Sequence, residues 1–342
     1  MEKPKHLSQG DHVAVISLSR GLLGEACVSA QQKLGMERLR NMGLIPSFTT
    51  NACKGLSYLD HHPEARADDL KEAFQDNSIK AVICAIGGND TYRTLPFLMD
   101  DKVFQENVRN HPKIFIGFSD TTVNHLMFFR LGMESFYGPN YLTDLSELSK
   151  KMLPYTEASF LSLFQKRPGP IESSPVWYEE RPDYSERALG TERKEHKETK
   201  GYELIAGTLP VTGKLYGGCL ESLAGLSRHD DFHLILKDAE WDGKIAFFET
   251  SEEMPSPSVV EEELKEIGKS GVFTHARGVI VGKPMDEKWY EEYKAIWKRH
   301  AKEIPVLFNV NFGHACPRTI LAYGTQVTVT KNAITYDEDI LL

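Results

Sequence analysis

Three residue types that together can make a hydrolytic site occur where apolar runs break. Ser119 follows Ile114-Phe115-Ile116-Gly117-Phe118 and precedes Asp120-Thr121-Thr122, after which Val123, Leu126, Met127 and Leu131 recur at helical spacing. That order predicts strand, turn, helix. A serine at such a turn is lifted off the end of a buried sheet, beside the free N–H groups of a helix start. The stretch fits a plain helix cap by Ser119 or Asp120 equally well, and Thr121 stands where a Gly-x-Ser-x-Gly elbow has its second glycine. Glu249 closes Ile245-Ala246-Phe247-Phe248, where a carboxylate is costly unless paired. His314 lies in Asn309-Val310-Asn311-Phe312-Gly313-His314-Ala315-Cys316-Pro317, after another apolar strand and a glycine. A serine needs a base to become a nucleophile, and the base needs an orienting acid. Taken singly, the acid and the histidine also fit structural roles.

The elements that must position these residues are legible as period and punctuation. Val13 to Ser17, Ile45 to Phe48, Lys80 to Ile86 and Ile114 to Ile116 are short apolar or extended runs. Helical segments lie between them: one through Met36, Leu39 and Met42, one over Ala65 to Phe74, and one over Thr94 to Phe104. Alternating strands and helices with short loops predict a parallel sheet covered on both faces, with ligands at the carboxyl ends of the strands. Gly87-Gly88 and Ser119 fall at such ends on consecutive strands, which predicts that they are neighbours. Another helix is expected over Thr156 to Phe164. Residues 1–165 thus read as one α/β domain.

Residues 166–200 are dense in charge and proline and predict a linker or exposed flap. Trp177 and Tyr178 inside it are either a local hydrophobic pin or a stacking platform for a ligand. Residues 201–342 are strand-rich. Strands are expected over Gly201 to Val211, Lys214 to Gly218, Lys244 to Glu249, Gly278 to Gly282, Val306 to Val310 and Gln326 to Thr330. Helices are expected over Val260 to Ile267 and Glu287 to His300, and the strand order is not deducible from this pattern.

Bulk properties narrow the class. At 342 residues the chain is long for one core, and 41% hydrophobic with 26% charged residues is an ordinary globular composition. A net charge of −9 gives no footprint for nucleic acid. The N-terminus is polar, without a signal-peptide pattern, and no apolar run is long enough to span a bilayer. Cys27, Cys53, Cys84, Cys219 and Cys316 are scattered, which fits reduced thiols in a cytoplasm. His61-His62 has no ligand spacing around it and predicts surface rather than metal.

Taken in order, Gly-Gly-Asn-Asp, Gly-Phe-Ser-Asp-Thr-Thr, Phe-Tyr-Gly-Pro, Gly-Lys-Leu-Tyr-Gly-Gly, Phe-Phe-Glu-Thr and Asn-Phe-Gly-His-Ala-Cys-Pro resemble the LD-carboxypeptidase family of serine peptidases. Glu-Thr-Ser-Glu-Glu-Met-Pro-Ser-Pro brings the chain nearest that family's microcin-immunity branch. The resemblance runs from about Val13 to the C-terminus. It implies a flavodoxin-like N-terminal domain and a smaller strand-rich α/β C-terminal domain. It implies Ser119 as nucleophile, His314 as base, Glu249 as orienting acid, and an oxyanion hole of the Gly88 and Asp120 N–H groups, with no cofactor or metal. The expected substrate is a small peptide or aminoacyl-nucleotide, with a murein tetrapeptide as the alternative. A non-catalytic small-molecule binding protein is the alternative of another class. Trp177 falls in the region that stacks a base, and a homodimer is expected. Two positions depart from the family pattern. Cys219 stands where asparagine is frequent, and Ser251, Glu252 and Glu253 occupy a loop that usually carries a basic residue.

Overall fold

The computed structural model of the protein describes residues 1–342. Five strands form the parallel part of the first sheet: β1 (His12–Ile16), β2 (Ile45–Phe48), β3 (Ile79–Cys84), β4 (Ile114–Gly117) and β5 (Phe136–Tyr137). Their order is β5-β4-β3-β1-β2, the flavodoxin-like arrangement read from the far edge. The inner strands are apolar on both faces because helices Ser29–Asn41, Pro63–Gln75, Lys102–Asn110 and Thr122–Leu131 cross over between them. β4 is wholly buried, and after Phe118 the chain enters the 3-10 turn Ser119–Thr121 and the helix Thr122–Leu131.

The remaining strands are β6 (Ile171–Glu172), β7 (Val176–Tyr178), β8 (Glu195–Lys197), β9 (Glu203–Ala206), β10 (Val211–Cys219), β11 (Lys244–Glu249), β12 (Gly278–Gly282), β13 (Val306–Val310), β14 (Leu321–Ala322), β15 (Gln326–Val329) and β16 (Ala333–Tyr336). Eight of them make the second sheet, in the order β6-β16-β15-β10-β11-β12-β13-β9. β10 to β13 run parallel, so Cys219, Glu249 and the segment after Val310 all emerge at one edge. β14 leaves this sheet altogether and pairs antiparallel with β5 of the first. The chain after β13 therefore crosses between the sheets at 311–320, carrying His314, before it returns at β15. One continuous apolar core runs beneath both sheets.

Three expectations are corrected. The helix expected over Thr94 to Phe104 is two helices, Leu95–Met99 and Lys102–Asn110, because Asp101 is extended and its carboxylate caps Phe104 N at 3.0 Å. The run from Gly201 to Val211 is split at Gly207, which sits at φ +64, into β9 and the start of β10. Residues 166–200 are not a bare linker. β6 adds to the second sheet and β7 pairs with β8 as a hairpin. Two of the segment's charges turn inward while most stay exposed: Arg193 Nε and Arg181 Nη2 donate to the buried Glu147 carboxylate at 2.7 and 2.5 Å.

Burial works against the Glu147 charge, and the two guanidiniums overcome it and hold the carboxyl down to about 2. A depressed folded-state pKa contributes stability above the ordinary carboxylate range and loses it as pH falls toward 2. Glu147→Gln should leave two guanidiniums buried and destabilise the fold by about 3 kcal/mol at neutral pH. Denaturant titration at pH 7 and at pH 2.5 checks this, and the gap between variant and wild type should shrink at the lower pH.

Candidate active site

Ser119 has φ +69, a left-handed conformation costing about 1–3 kcal/mol for a residue with a side chain. Its backbone N–H donates to Tyr137 Oη at 3.1 Å. Thr121 Oγ1 and Thr122 Oγ1 donate back to the carbonyls of Phe118 and Ser119, each at 2.7 Å. The turn is thus tied at both ends. Gly87 lies directly against it: a Cβ at that position would stand 2.7 Å from Ser119 Cβ and Oγ. The glycine pair and the serine are neighbours in space, as their strand ends predicted.

Asp120 does not cap its own helix. Its buried carboxylate accepts Ser19 Oγ at 2.6 Å and Thr91 N at 2.8 Å, at the start of the 3-10 turn Thr91–Thr94. Burial pushes its carboxyl up, against those two hydrogen bonds. Ser19 Oγ also reaches Asp90, which the fully buried Arg66 holds in a bidentate pair at 2.8 and 3.0 Å. This network clamps both loops that carry the Gly88 and Asp120 N–H groups.

Glu249 and His314 meet from the other sheet. Glu249 is 1% exposed, and one oxygen accepts both His314 Nδ1–H at 2.7 Å and His314 N–H at 3.0 Å. The other accepts Tyr137 Oη–H at 2.5 Å. Burial and the adjacent Glu249 charge push the Tyr137 phenol well up, so it stays a donor. Gly313, at φ +81, makes this approach possible: a Cβ there would fall 2.4 Å from the Glu249 carboxyl carbon. Arg318 fixes the same loop by donating to His314 O at 2.9 Å and to Asp144 at 3.1 Å.

Ser119 Oγ makes no hydrogen bond to His314. Nε2 is held instead by Glu252 Oε2 at 2.9 Å, from the loop after β11. Burial opposes charge on His314, but Glu249 and then Glu252 overcome it and raise the imidazole to about 10. The His314 hydrogen bond, opposed by burial, holds Glu252 down to about 2.

One cleft of about 1450 Å³ opens between the two sheets, with the Glu249–His314 pair behind its wall and Glu252, which lines it, on His314 Nε2. Gly88, Ser119, Asp120, Cys219 and Glu252 are all on its wall. Trp177 is not: its ring is 9% exposed, stacked on His196 at 4.2 Å in the β7–β8 hairpin, with Lys283 Nζ 5.1 Å from its centroid. Cys219 pairs with Glu249 across β10 and β11, and its thiol donates to Glu221 at 3.3 Å. Cys219, Glu249 and His314 offer atoms within 4.8 Å of one another, a spacing a metal could use. Glu249 and His314 already satisfy each other, and burial keeps the Cys219 thiol protonated, so the trio lacks free ligands.

Two site residues escaped the sequence reasoning. Tyr137 belongs to the Phe-Tyr-Gly-Pro motif, but nothing local shows that a strand-end phenol spans two sheets. Glu252 was noted only as a departure from a basic pattern, and its contact depends on a loop path that sequence does not encode.

Family models described as the LD-carboxypeptidase N-terminal domain and the LD-carboxypeptidase C-terminal domain match residues 13–138 and 212–329. A solved MccF-like protein from Streptococcus pneumoniae, in complex with AMP, is 42% identical, with a TM-score of 0.92 over 96% of this chain and 99% of that one. The protein belongs to the LD-carboxypeptidase family. Among its other relatives, the probable murein peptide carboxypeptidase of Bacillus subtilis (strain 168) is 29% identical over 82% of this chain and 74% of that one. The microcin C7 self-immunity protein MccF of Escherichia coli is 25% identical over 94% and 91%. A structure of MccF in complex with aspartyl sulfamoyl adenosine has a TM-score of 0.82 at 23% identity, each chain covered in full. The flavodoxin-like sheet and the strand-rich second half are therefore the LD-carboxypeptidase fold, and membership makes the protein a peptidase-type hydrolase. No helix is long and apolar enough to cross a membrane.

Tyr137→Phe should keep the fold while freeing one Glu249 oxygen and orphaning the Ser119 N–H. Catalysis on any substrate the LD-carboxypeptidase cleft accepts should then fall about tenfold or more in kcat, with KM little changed. Steady-state kinetics beside a thermal melt separate this from unfolding.

Proposed function

We propose that the protein is a serine carboxypeptidase or amidase that hydrolyses an amide-type bond in an aminoacyl- or peptidyl-nucleotide. The observation that carries the proposal is the buried Glu249–His314 pair, joined through Glu252 to a cleft whose wall holds the strained Ser119. Ser119 attacks the carbonyl while His314 Nε2 takes its proton. Glu249 holds Nδ1–H and stabilises the imidazolium that forms. The oxyanion rests on the Gly88 and Asp120 N–H groups, whose loops the Arg66–Asp90–Ser19–Asp120 network fixes in advance. His314 then gives its proton to the leaving amine, and water releases the acyl group from Ser119. Glu252 must leave Nε2 before the first step, because an imidazolium held by two carboxylates cannot accept a proton.

The AMP bound by the 42% identical relative supports a nucleotide leaving group. A second substrate class is favoured by a different observation. The murein peptide carboxypeptidase relative argues for a tetrapeptide carrying a terminal D-amino acid. The chemistry is the same for both.

Incubation with a panel of aminoacyl sulfamoyl adenosines of different side-chain charge and with a murein tetrapeptide, followed by mass spectrometry, separates the two. Release of the amino acid from at least one nucleotide analogue is expected. Ser119→Ala and His314→Ala should each lower turnover by about a thousandfold or more. Cleavage of the tetrapeptide alone would reverse the substrate assignment, and turnover that survives Ser119→Ala would remove the mechanism.

A further inference from the structure

The cleft wall in front of Glu249 and His314, from which Glu252 reaches His314 Nε2, is acidic beyond what catalysis needs. Glu221, Asp231, Glu252 and Glu253 all line it, and that wall contributes no lysine or arginine. The one guanidinium in the lining, Arg20, stands on the opposite wall beside the Gly88 loop. Asp60 and Asp90, across the cleft, are already neutralised by Arg93 and Arg66. The acids on the His314 wall have no such partners. Glu221 accepts only the Ser251 N–H at 2.8 Å and the Cys219 thiol, and Asp231 and Glu253 form no ion pair.

Glu252 is the member of this set that reaches the chemistry. Its side chain is 60% exposed and rides on a loop that turns through Met254 at φ +47, yet its carboxylate ends on the atom that must receive the Ser119 proton. A charge so placed is held there by a cation, and the cation is His314. A cation bound in the cleft competes with the imidazolium for this carboxylate, whereas a neutral or anionic group offers it no such partner.

We infer that Glu252 is a specificity residue that selects substrates bearing a cationic group beside the scissile bond, an ammonium or guanidinium, and that this group draws Glu252 off His314 Nε2. The substrate's charge then takes the place of the imidazolium as the partner of Glu252. His314 loses one of its two carboxylates and becomes the base for Ser119. A substrate with an anionic side chain does the opposite: it meets four carboxylates and leaves Glu252 on the histidine. The other charged or titratable groups around the pair are Glu249 and Cys219 on the sheet side and Arg318 behind the loop, and none of them can make this exchange.

The inference presupposes the serine chemistry proposed above, so its test needs a readout that does not. Lysyl and glutamyl sulfamoyl adenosine are compared as substrates of the wild type. The lysyl compound is expected to have a kcat/KM about tenfold higher or more. Glu252→Lys should invert that order. Glu252→Gln should narrow it and move the acid limb of kcat/KM to lower pH, because kcat/KM reports the free enzyme, in which Glu252 props up the His314 pKa. A glutamyl preference in the wild type, equal rates, or a ratio unmoved by Glu252→Lys would overturn the inference. Calorimetric binding of both compounds to Ser119→Ala reads the same preference without turnover. Tighter lysyl binding with no hydrolysis by the wild type would sink the serine mechanism and keep the cationic subsite. Equal or absent binding would sink the subsite.

Discussion

One buried carboxylate organises the protein. Glu249 ends an apolar strand at 1% exposure, where an uncompensated charge would cost several kcal/mol. Its oxygens take three donors: the ring and backbone of His314, and the Tyr137 phenol from the other sheet. Satisfying that charge therefore requires both sheets to be present and in register. Tyr137 in turn accepts the Ser119 N–H, so the acid's need for a partner also positions the Ser119 turn. The chain topology enforces the same closeness. Residues 311–320 cross from the second sheet to the first, where β14 pairs with β5 at Tyr137 itself. His314 lies on that crossing, anchored at Val310 on one side and at Leu321 on the other.

The Ser119 turn is strained, and strain persists only where neighbours over-determine the conformation. Here those neighbours are polar. Tyr137 holds the Ser119 N–H, while Thr121 and Thr122 return hydrogen bonds to the carbonyls on either side. Asp120 ties the turn sideways to Ser19 and Thr91, and through Ser19 to the buried Arg66–Asp90 pair. Removing any member would leave a buried donor or acceptor without a partner. That penalty keeps the loops of Gly88 and Asp120 in place before a substrate arrives.

What was legible in the sequence follows from range. β1, β3, β4, β11, β12 and β13 are continuous apolar runs because they are buried on both faces, and such runs are local. Ser119, Glu249 and His314 stood out because each breaks one of those runs at its carboxyl end. Gly313 stood out for the same reason, and its φ of +81 beside the Glu249 carboxylate supplies the cause. What was not legible depends on distant partners. Arg181 and Arg193 looked like solvated charges because Glu147 lies more than thirty residues upstream. β14 is two residues long, too short for any period, and it pairs with a strand nearly two hundred residues earlier. Tyr137 looked like one more strand-end aromatic until Glu249 arrived from the other sheet. The sequence allows Trp177 to be either a pin or a platform, and the structure gives it the stacked, buried setting of a pin against His196.

The same rigidity decides where the site can move. Ser119, Glu249 and Tyr137 are each held by buried hydrogen bonds, and one core underlies both sheets, so relative motion of the halves would break several of them at once. The loop after β11 is different. Ser251 N is pinned by Glu221, but Glu252 and Glu253 project into the cleft with no sheet or helix partner, and Met254 takes a left-handed turn before the helix Pro257–Gly268. Glu252 is thus an exposed charge in contact with a buried one. Its interaction with His314 crosses half-exposed space and is weakened by solvent, whereas the Glu249 contact is fully buried. Of the two carboxylates on the imidazole, only Glu252 can leave at small cost. The His314 imidazole is thus oriented by Glu249 and occupied at Nε2 by Glu252, and freeing Nε2 takes the displacement of one surface side chain.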